Sequence, residues 1–198
     1  MAQVKRVLNV GGHDKSIPLP RQYADFEQIL LDLDPAVGPD ILCDARELSK
    51  LEPRQFDAVY CAHNLEHYYR HEVSGVLAGF LHILKEEGFA QIIVPDIGEV
   101  MRIVAARNLD LEDVLYQSPA GPILVLDVLW GWSAQIQRSG QSFFAHKTGF
   151  TERSLVASVQ RSGFSKTYSM AGNLEVNVLA FRRMPDGATR ALFGLPDG

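Results

Sequence analysis

Short, nearly continuous apolar runs alternate with helical patterns through the first half of the chain. Five of these runs have the length of a β-strand: 7–10, 29–31, 41–43, 58–61 and 92–94. An apolar run without polar alternation is typical of a strand that is buried on both faces, as in a parallel sheet covered by helices. The pattern therefore predicts an α/β fold built on five parallel strands.

Two helices are well defined by their periodicity. The range 72–85 places its apolar residues on a single stripe, and Gly88 follows as a C-terminal stop. A second helix is predicted after Thr151, which can act as its N-cap, with Leu155 and Val159 directed inward. We expect the apolar stripe of the first helix to pack on the sheet.

Residues 97–148 interrupt the alternation of strands and helices. The pattern predicts a helix near 100–107, a second short helix near 111–116, a turn at 118–122 and an apolar piece that carries both tryptophans. We interpret the segment as a helical insert that precedes the end of the sheet.

The end of the chain predicts one more strand and a tail. Residues 173–183 alternate with period two and become apolar on both faces, which predicts a late strand, antiparallel to its neighbour. Residues 185–198 are rich in Pro and Gly and are predicted to be weakly structured. A length of 198 residues favours one domain, which we expect to span 1–184.

Composition and charge narrow the choice of partner. The fractions of 46% hydrophobic and 22% charged residues are ordinary for a soluble globular protein and exclude a disordered chain. The net charge of −5 argues against a nucleic-acid partner, because phosphate binding draws on clustered Lys and Arg. No apolar run approaches the roughly 18 residues of a membrane span. The expected partner is therefore a small molecule or another protein.

The two cysteines indicate the cellular compartment of the protein. Cys43 and Cys61 fit no zinc-ligand spacing and lie inside apolar runs, which predicts buried thiols in a reducing environment. The apolar run near the N-terminus is too short for a signal peptide. We therefore expect a cytoplasmic protein.

Candidate binding residues follow the predicted strands. In an open parallel sheet, ligands bind at the carboxyl ends of the strands, where the strand order reverses. Gly11 and Gly12 follow the first strand, and Asp32, which follows the second, stands 21 residues beyond Gly11. A glycine pair lets a ligand approach the backbone, and an acid about 20 residues later can accept two hydrogen bonds from a ribose diol. This spacing indicates a nucleoside-containing ligand.

Several segments, taken in order, resemble a class I S-adenosylmethionine-dependent methyltransferase. They are 8–12, 31–35, 43–48, 56–67 and 83–89, with 145–151 resembling the end of small members of that family. The first five are spread over roughly the first half of the chain. The resemblance implies a doubly wound, mostly parallel, seven-stranded Rossmann-like sheet that closes with an antiparallel hairpin. It also implies S-adenosylmethionine as cofactor.

The resemblance assigns the methionine and ribose ends of the cofactor. Gly11 and Gly12 would let the methionine part lie against the backbone; the alternative is a tight turn. The family's third glycine is absent and prolines leave little room for a first helix, so His13 or Lys15 could supply positive charge there, or be solvated loop charges. Asp32 would bind the ribose, unless it is a turn acid.

The resemblance also assigns the adenine and methyl ends. Asp44 and the backbone of Ala45 would read the adenine, the alternative for Asp44 being an N-cap of the following short helical segment. Leu33, together with Leu48, could flank the adenine or belong to the core. Ala62 and His63 are expected to face the transferable methyl group.

Three histidines are candidates for chemistry. His63 and His146 could act as bases near neutral pH; His146 could instead contact the acceptor or tie the 145–150 loop to the sheet. His63 and His67 have a legitimate spacing for metal ligands, and in some related enzymes this segment holds a divalent metal. The acid that those enzymes carry at the position of His63 is missing, so no metal is expected and His67 is interpreted as a packing residue.

These observations predict methyl transfer to a small-molecule acceptor by in-line displacement. The insert 97–148, with Trp130 and Trp132, would form an acceptor pocket or a homodimer face, unless the two rings are core. The alternative function is a catalytically inactive binding or assembly module with the same fold. A nicotinamide-dependent enzyme is disfavoured, since the G-x-G-x-x-G motif is missing.

Overall fold

The computed structural model describes residues 4–119 and 121–196. The strands are β1 (Lys5–Val10), β2 (Phe26–Asp32), β3 (Ile41–Leu42), β4 (Phe56–Ala62), β5 (Leu84–Pro95), β6 (Val114–Ser118), β7 (Gly121–Leu124), β8 (Lys166–Gly172) and β9 (Glu175–Phe181). The α-helices are α1 (Val73–Ile83), α2 (Ile97–Arg107), α3 (Val125–Trp130), α4 (Ser133–Ser139), α5 (Glu152–Arg161) and α6 (Gly187–Phe193).

Seven strands form one sheet in the order β3-β2-β1-β4-β5-β9-β8. The first five pair in parallel, and β9 runs antiparallel to both β5 and β8. The chain moves outward from β1 through β2 and β3, and then returns to the other side of β1 with β4. The strand order therefore reverses between β1 and β4, and the predicted doubly wound sheet with a final antiparallel hairpin is confirmed.

The sheet carries apolar side chains on both faces. On one face, Leu8 and Val10 of β1 pack in a large cluster with α1 and α5. On the other face, Val7 packs in a smaller cluster with Tyr23 and Phe181. Alternate residues of one strand point to opposite faces, so burial on both sides explains the continuous apolar runs in the sequence.

The helix predicted over 72–85 is shorter than its pattern suggests. It ends at Ile83, and β5 begins at the next residue, where Leu84 pairs with Phe56. Arg182 donates hydrogen bonds to the carbonyls of Leu81 and Leu84 and so satisfies acceptors at this helix end. The prediction that Gly88 stops the helix is wrong, because strand pairing with β4 ends it earlier.

The insert contains a hairpin that the pattern did not predict. The helix predicted near 111–116 is wrong, since β6 and β7 pair there as an antiparallel ladder with Val114 opposite Leu124. A helix was expected near 100–107, and α2 covers it. Asp96 caps this helix by accepting hydrogen bonds from the backbone N–H groups of Gly98 and Glu99.

The predicted weakly structured tail contains a helix instead. Asp186 accepts a hydrogen bond from the backbone N–H of Thr189 at the start of α6. The ring of Phe193 then lies 5.0 Å from that of Phe89, measured between centroids, and covers the smaller apolar cluster. The tail prediction is wrong for these residues because it took no account of this long-range contact. Among the described residues, none of the helices is long and apolar enough to cross a membrane.

Candidate functional site

A cavity of about 320 Å³ lies at the carboxyl ends of β1 to β4, where the strand order reverses. Seven of the ten predicted site residues line it: Gly11, His13, Asp32, Leu33, Asp44, Ala45 and His63. Gly12 and Ala62 are outside its lining, and His146 lines neighbouring cavities instead. Gly12 and Ala62 thus lie apart from the other predicted cofactor residues, whereas His146 was predicted as a base or acceptor contact and not as a cofactor residue.

The glycine pair is required by two asparagine side chains. Gly11 has a φ of +67°, and a Cβ atom there would overlap the side-chain amide of Asn64. A Cβ atom on Gly12 would overlap the amide of Asn9. The Gly11 N–H also donates to the carbonyl of Leu31 at 2.8 Å. The pair thus forms the tight turn that the sequence allowed, and Gly11 keeps its backbone at the cavity wall.

Two acids end β2 in different ways. Asp32 accepts a hydrogen bond from the Asp34 N–H through Oδ1 at 2.9 Å, and its side chain is half-buried at the cavity. Asp34 caps the following 3₁₀ turn by accepting from the Ala36 N–H. Leu33 is 37% exposed at the same edge, whereas Leu48 is fully buried, so of the two leucines only Leu48 is core.

Asp44 has both a structural partner and a place in the cavity. It caps the 3₁₀ helix over Ala45–Lys50 by accepting from the Arg46 N–H, and it also accepts from the Arg46 guanidinium at 2.6 Å. Arg46 reaches on to Glu72 at 2.7 Å. Burial by itself would raise the pKa of Asp44, but the hydrogen bonds from Arg46 lower it. Asp44 is therefore an ionised acceptor at neutral pH.

Comparisons with known proteins identify this architecture. No protein-family model matches the sequence, and neither does any curated protein. A SAM-dependent methyltransferase from Archaeoglobus fulgidus superposes with a TM-score of 0.56 and 13% identity, covering 89% of this chain and 86% of its own. The chain has a class I S-adenosylmethionine-dependent methyltransferase fold.

Two further comparisons involve longer chains. SibL, solved as an S-adenosylmethionine-dependent methyltransferase in its apo form, gives a TM-score of 0.57 at 16% identity over 93% of this chain and 51% of SibL. PigF, solved with SAH, gives 0.55 at 11% identity over 90% of this chain and 50% of PigF. This chain therefore spans about half the length of each.

The methyltransferase fold is modified after its first strand. The segment between β1 and β2 contains a 3₁₀ turn over Arg21–Tyr23 and no α-helix, as the prolines predict. Lys15 forms an ion pair with Asp40 at 2.6 Å and lies outside the lining of the large cavity, while His13 belongs to that lining. Of the two candidate cations, only His13 is therefore placed to face a ligand.

A second cavity of about 510 Å³ lies between the sheet and the insert of the methyltransferase fold. His63 borders both cavities, and the second is also lined by Tyr116, Trp132, His146 and Glu175. Trp132 is 41% exposed and Trp130 is 54% exposed, so neither ring is core. The insert thus contributes aromatic surface beside the first cavity, which lies at the strand-order reversal.

His63 is held between two carboxylates. Its Nε2 lies 2.8 Å from Glu175 Oε1, and its Nδ1 lies 3.6 Å from Glu66 Oε1. Desolvation lowers the pKa of His63, but the two carboxylates outweigh it and raise the pKa to about 10. An imidazolium has no lone pair with which to accept a proton. The role of base predicted for His63 is therefore not supported by this geometry.

His146 lies beside His67, with ring centroids 4.9 Å apart. The Nδ1 atoms of the two rings face backbone carbonyls, that of Val128 at 2.9 Å for His146 and that of Ala145 at 3.1 Å for His67. Burial lowers the pKa of His146, which is therefore neutral near pH 7. His146 thus keeps a ring nitrogen free to accept a proton or bind an ion.

Sequence reasoning missed several residues that line the first cavity, at the strand-order reversal. They are Arg46, Glu72, Ser142, Phe143, Phe144 and Lys147. Arg46 and Lys147 adjoin residues that were singled out, and that adjacency was a usable signal. The 142–144 turn lies near the end of the insert, and no local pattern indicated that it lines this cavity.

Proposed function

We propose that the protein transfers a methyl group from S-adenosylmethionine to a small-molecule acceptor by in-line displacement. The observation that carries the proposal is the cavity at the strand-order reversal, which brings Gly11, Asp32 and Asp44 together at its wall. The similarity of the fold to SAM-dependent methyltransferases and to PigF solved with SAH supports it. Fold by itself does not name a function, so the proposal depends on these residues.

The residues at the cavity suit the proposed cofactor. Gly11 presents bare backbone to the methionine part, and Gly12 completes the turn behind it. Asp32 can accept hydrogen bonds from the ribose diol, and Asp44 can accept from the adenine amino group. Carboxylates only accept, and both polar ends of the nucleoside donate, so the chemistry is matched.

The remaining predicted residues would complete the cofactor site. Ala45 would contribute its backbone and Leu33 an apolar flank to the adenine. His13 would lie toward the methionine carboxylate in place of the missing helix terminus. Ala62 ends β4 and is proposed to lie on the methyl side, although it does not line the cavity.

The cofactor is proposed to bind in the first cavity, the cofactor-side cavity. The acceptor is proposed to enter the second cavity, the acceptor-side cavity. Its volume of about 510 Å³ is within the range of about 300–1,000 Å³ for small-molecule sites. S-Adenosylmethionine carries an already activated methyl group, so the chain has to align the acceptor and exclude water. Tyr116 and Trp132 would form the acceptor walls. His146 would contact the acceptor or remove its proton.

Ligand-induced stabilisation tests the proposal. We expect S-adenosylhomocysteine to raise the melting temperature and NAD to leave it unchanged, because a ligand that binds only the folded state stabilises it by about 2.7 kcal/mol at 100 times Kd. The variant Asp32→Ala should weaken S-adenosylhomocysteine binding by about 1.5 to 3 kcal/mol, measured by calorimetry. Asp186→Ala, which removes an acid at the distant start of α6, is the matched control. No response to S-adenosylhomocysteine or S-adenosylmethionine would contradict the proposal.

A non-catalytic binding module is the second candidate function. The observation that favours it is the absence of an α-helix between β1 and β2 in a segment that the structure describes throughout. Without that helix, its N-terminal N–H groups and positive dipole end are not available to the cofactor. Tight binding of S-adenosylhomocysteine with no methyl transfer to a broad panel of hydroxyl, amine and thiol acceptors would support this module.

A further inference from the structure

Glu66, His67 and His146 form a compact cluster between the two cavities. One potential ligand atom from each residue lies within 4.8 Å of the other two. Glu66 and His67 belong to the 3₁₀ turn that follows β4, while His146 lies near the end of the insert. The N–H groups of Lys147 and Thr148 donate to the Glu66 carbonyl at 2.8 and 3.2 Å and hold the two segments together.

The carboxylate of Glu66 is buried without a hydrogen bond. Its side chain is 2% exposed, and among the described residues neither carboxylate oxygen has a hydrogen-bond partner. His63 Nδ1, at 3.6 Å, is an ion-pair partner beyond hydrogen-bonding distance. A buried carboxylate is costly unless a cation or several donors compensate it. Both carboxylate oxygens of Glu66 therefore remain free of hydrogen bonds and available to a metal ion, with His63 as an ion-pair partner at 3.6 Å.

The two histidines present the matching donors. A backbone carbonyl only accepts, so the contacts to Ala145 and Val128 place a proton on Nδ1 of each ring. The lone pair of each ring is then on Nε2. Metal-ligating histidines in proteins are commonly oriented in this way, with the other ring nitrogen donating to a carbonyl or carboxylate. Both rings are thus oriented with Nε2 as the ring nitrogen that can bind an ion.

We propose that Glu66, His67 and His146 bind a divalent transition-metal ion such as Zn²⁺. Two imidazoles and one carboxylate are an established ligand set for such ions, with bond lengths of about 2.0 to 2.2 Å. Binding would draw the three side chains closer together. From the sequence no metal is expected, because His63 stands where related enzymes carry an acid. The fold instead supplies His146 as the third ligand, from 79 residues along the chain.

Three protein ligands leave at least one position of the ion open. His67 lines the cofactor-side cavity and His146 lines the acceptor-side cavity, so the ion would lie between them. On the proposed function, the open position would hold an oxygen of the acceptor. His146 would then act on the acceptor through the ion and not as a free base, because the ion occupies its lone pair.

Metal titration of the full chain tests the site. After chelator treatment and dialysis, Zn²⁺ should bind with a stoichiometry of one in calorimetry, and Co²⁺ should give visible absorption bands. Glu66→Gln and His146→Gln should each weaken Zn²⁺ binding by at least about tenfold, since even outer contacts of a metal site are worth 10- to 100-fold. His82→Gln is the matched control, because His82 is also half-buried and contacts a backbone carbonyl outside the cluster.

Saturable binding that is equally strong in His146→Gln, or no saturable binding by the parent, would overturn the proposal. If circular dichroism shows that Glu66→Gln does not fold, His67→Gln and His146→Gln are the two variants that test the site. S-Adenosylhomocysteine is titrated in parallel on the same samples. If the parent binds S-adenosylhomocysteine but fails to bind Zn²⁺, the metal site alone is contradicted. If it binds Zn²⁺ but fails to bind S-adenosylhomocysteine, the proposed function alone is contradicted.

Discussion

At the residue scale, two of the residues at the cavity are set by a partner that is distant in the sequence. Gly11 is shaped by Asn64, and His63 by Glu175. A residue type can suggest a role, as the acid at Asp32 does. Its partner decides whether that role is available, and for His63 the carboxylates on both sides argue against proton acceptance.

Gly11→Ala tests the requirement for glycine in the first turn. A side chain at a positive φ costs roughly 1 to 2 kcal/mol, and here the new Cβ also overlaps the Asn64 amide. Gly38→Ala is the matched control, since Gly38 has a similar φ of +63° with nothing within 4 Å of the added Cβ. We expect Gly11→Ala to lower the free energy of unfolding more than Gly38→Ala, measured in urea. Equal losses would show that Asn64 simply moves aside.

At the element scale, long-range packing set several boundaries. Helix α1 stops where β5 starts to pair with β4, and α6 forms where Phe193 meets the smaller apolar cluster. Helix propensity and turn residues describe a segment in isolation. They do not include the free energy gained from burying that segment against the rest of the fold.

Phe193→Ala measures how much α6 contributes. The ring is half-buried and packs edge-on against Phe89, so we expect the free energy of unfolding to fall by about 1 to 3 kcal/mol, less than for a fully buried Phe. Leu192→Ala is the neighbouring control; its side chain is 53% exposed, and its loss should be within about 0.5 kcal/mol. If both variants unfold at the same urea concentration as the parent, α6 does not stabilise the fold.

The two tryptophans of the insert separate its two proposed roles. Trp132 lines the acceptor-side cavity and lies beneath the Arg138 guanidinium, whereas Trp130 is the more exposed ring. We expect Trp130→Ala to weaken homodimer formation in sedimentation velocity, because exposed aromatic surface favours interfaces. Trp132→Ala should leave the dimer intact, and both variants should keep the parent's affinity for S-adenosylhomocysteine. A parent that stays monomeric at all concentrations would contradict the dimer.

At the scale of the whole molecule, the reversal of strand order between β1 and β4 positions the site. This reversal leaves a cavity at one edge of the sheet. The insert, including its 142–147 segment, borders that edge. Ionic contacts connect this edge to neighbouring elements. Arg46 links Asp44 to Glu72, and Lys15 links the first loop to Asp40.

These ion pairs predict acid sensitivity. Lys15 lowers the pKa of Asp40, and Arg46 lowers that of Glu72 and, against the effect of burial, that of Asp44. A folded-state pKa below the unfolded value stabilises the protein above the unfolded value, and that stability is lost as pH falls through the folded value. The free energy of unfolding should therefore decrease below about pH 4. High salt should reduce the effect, because Lys15 and Arg46 are exposed and the three carboxylates are only partly buried.

Arg46→Gln is the variant that checks this acid dependence. It should be less stable than the parent at pH 7 and should lose less of its free energy of unfolding between pH 5 and pH 3, since two of the depressed carboxyl groups lose their partner. The measurement is urea unfolding at several pH values and two salt concentrations. Parallel curves for parent and variant would assign the acid sensitivity to other groups.

By itself, the sequence determined the five parallel strands, the N-cap at Thr151, and the placing of Gly11, Asp32 and Asp44 at the cofactor-side cavity. Each of these depends on residues within one element or at its end, where hydrophobic periodicity and turn chemistry act directly. Seven of the ten predicted site residues line that cavity. Their positions follow from a general rule of parallel sheets, which places strand ends along one edge.

Only the tertiary structure decided the hairpin of β6 and β7, the helix α6, the ion pairs of His63, and the meeting of Glu66 and His67 with His146. In each case the deciding contact joins segments whose pairing no local pattern specifies. Burial and pairing then set the outcome, because an apolar ring gains most from the surface it covers and a buried charge needs whichever partner the fold brings near. That partner exists only after the chain has folded.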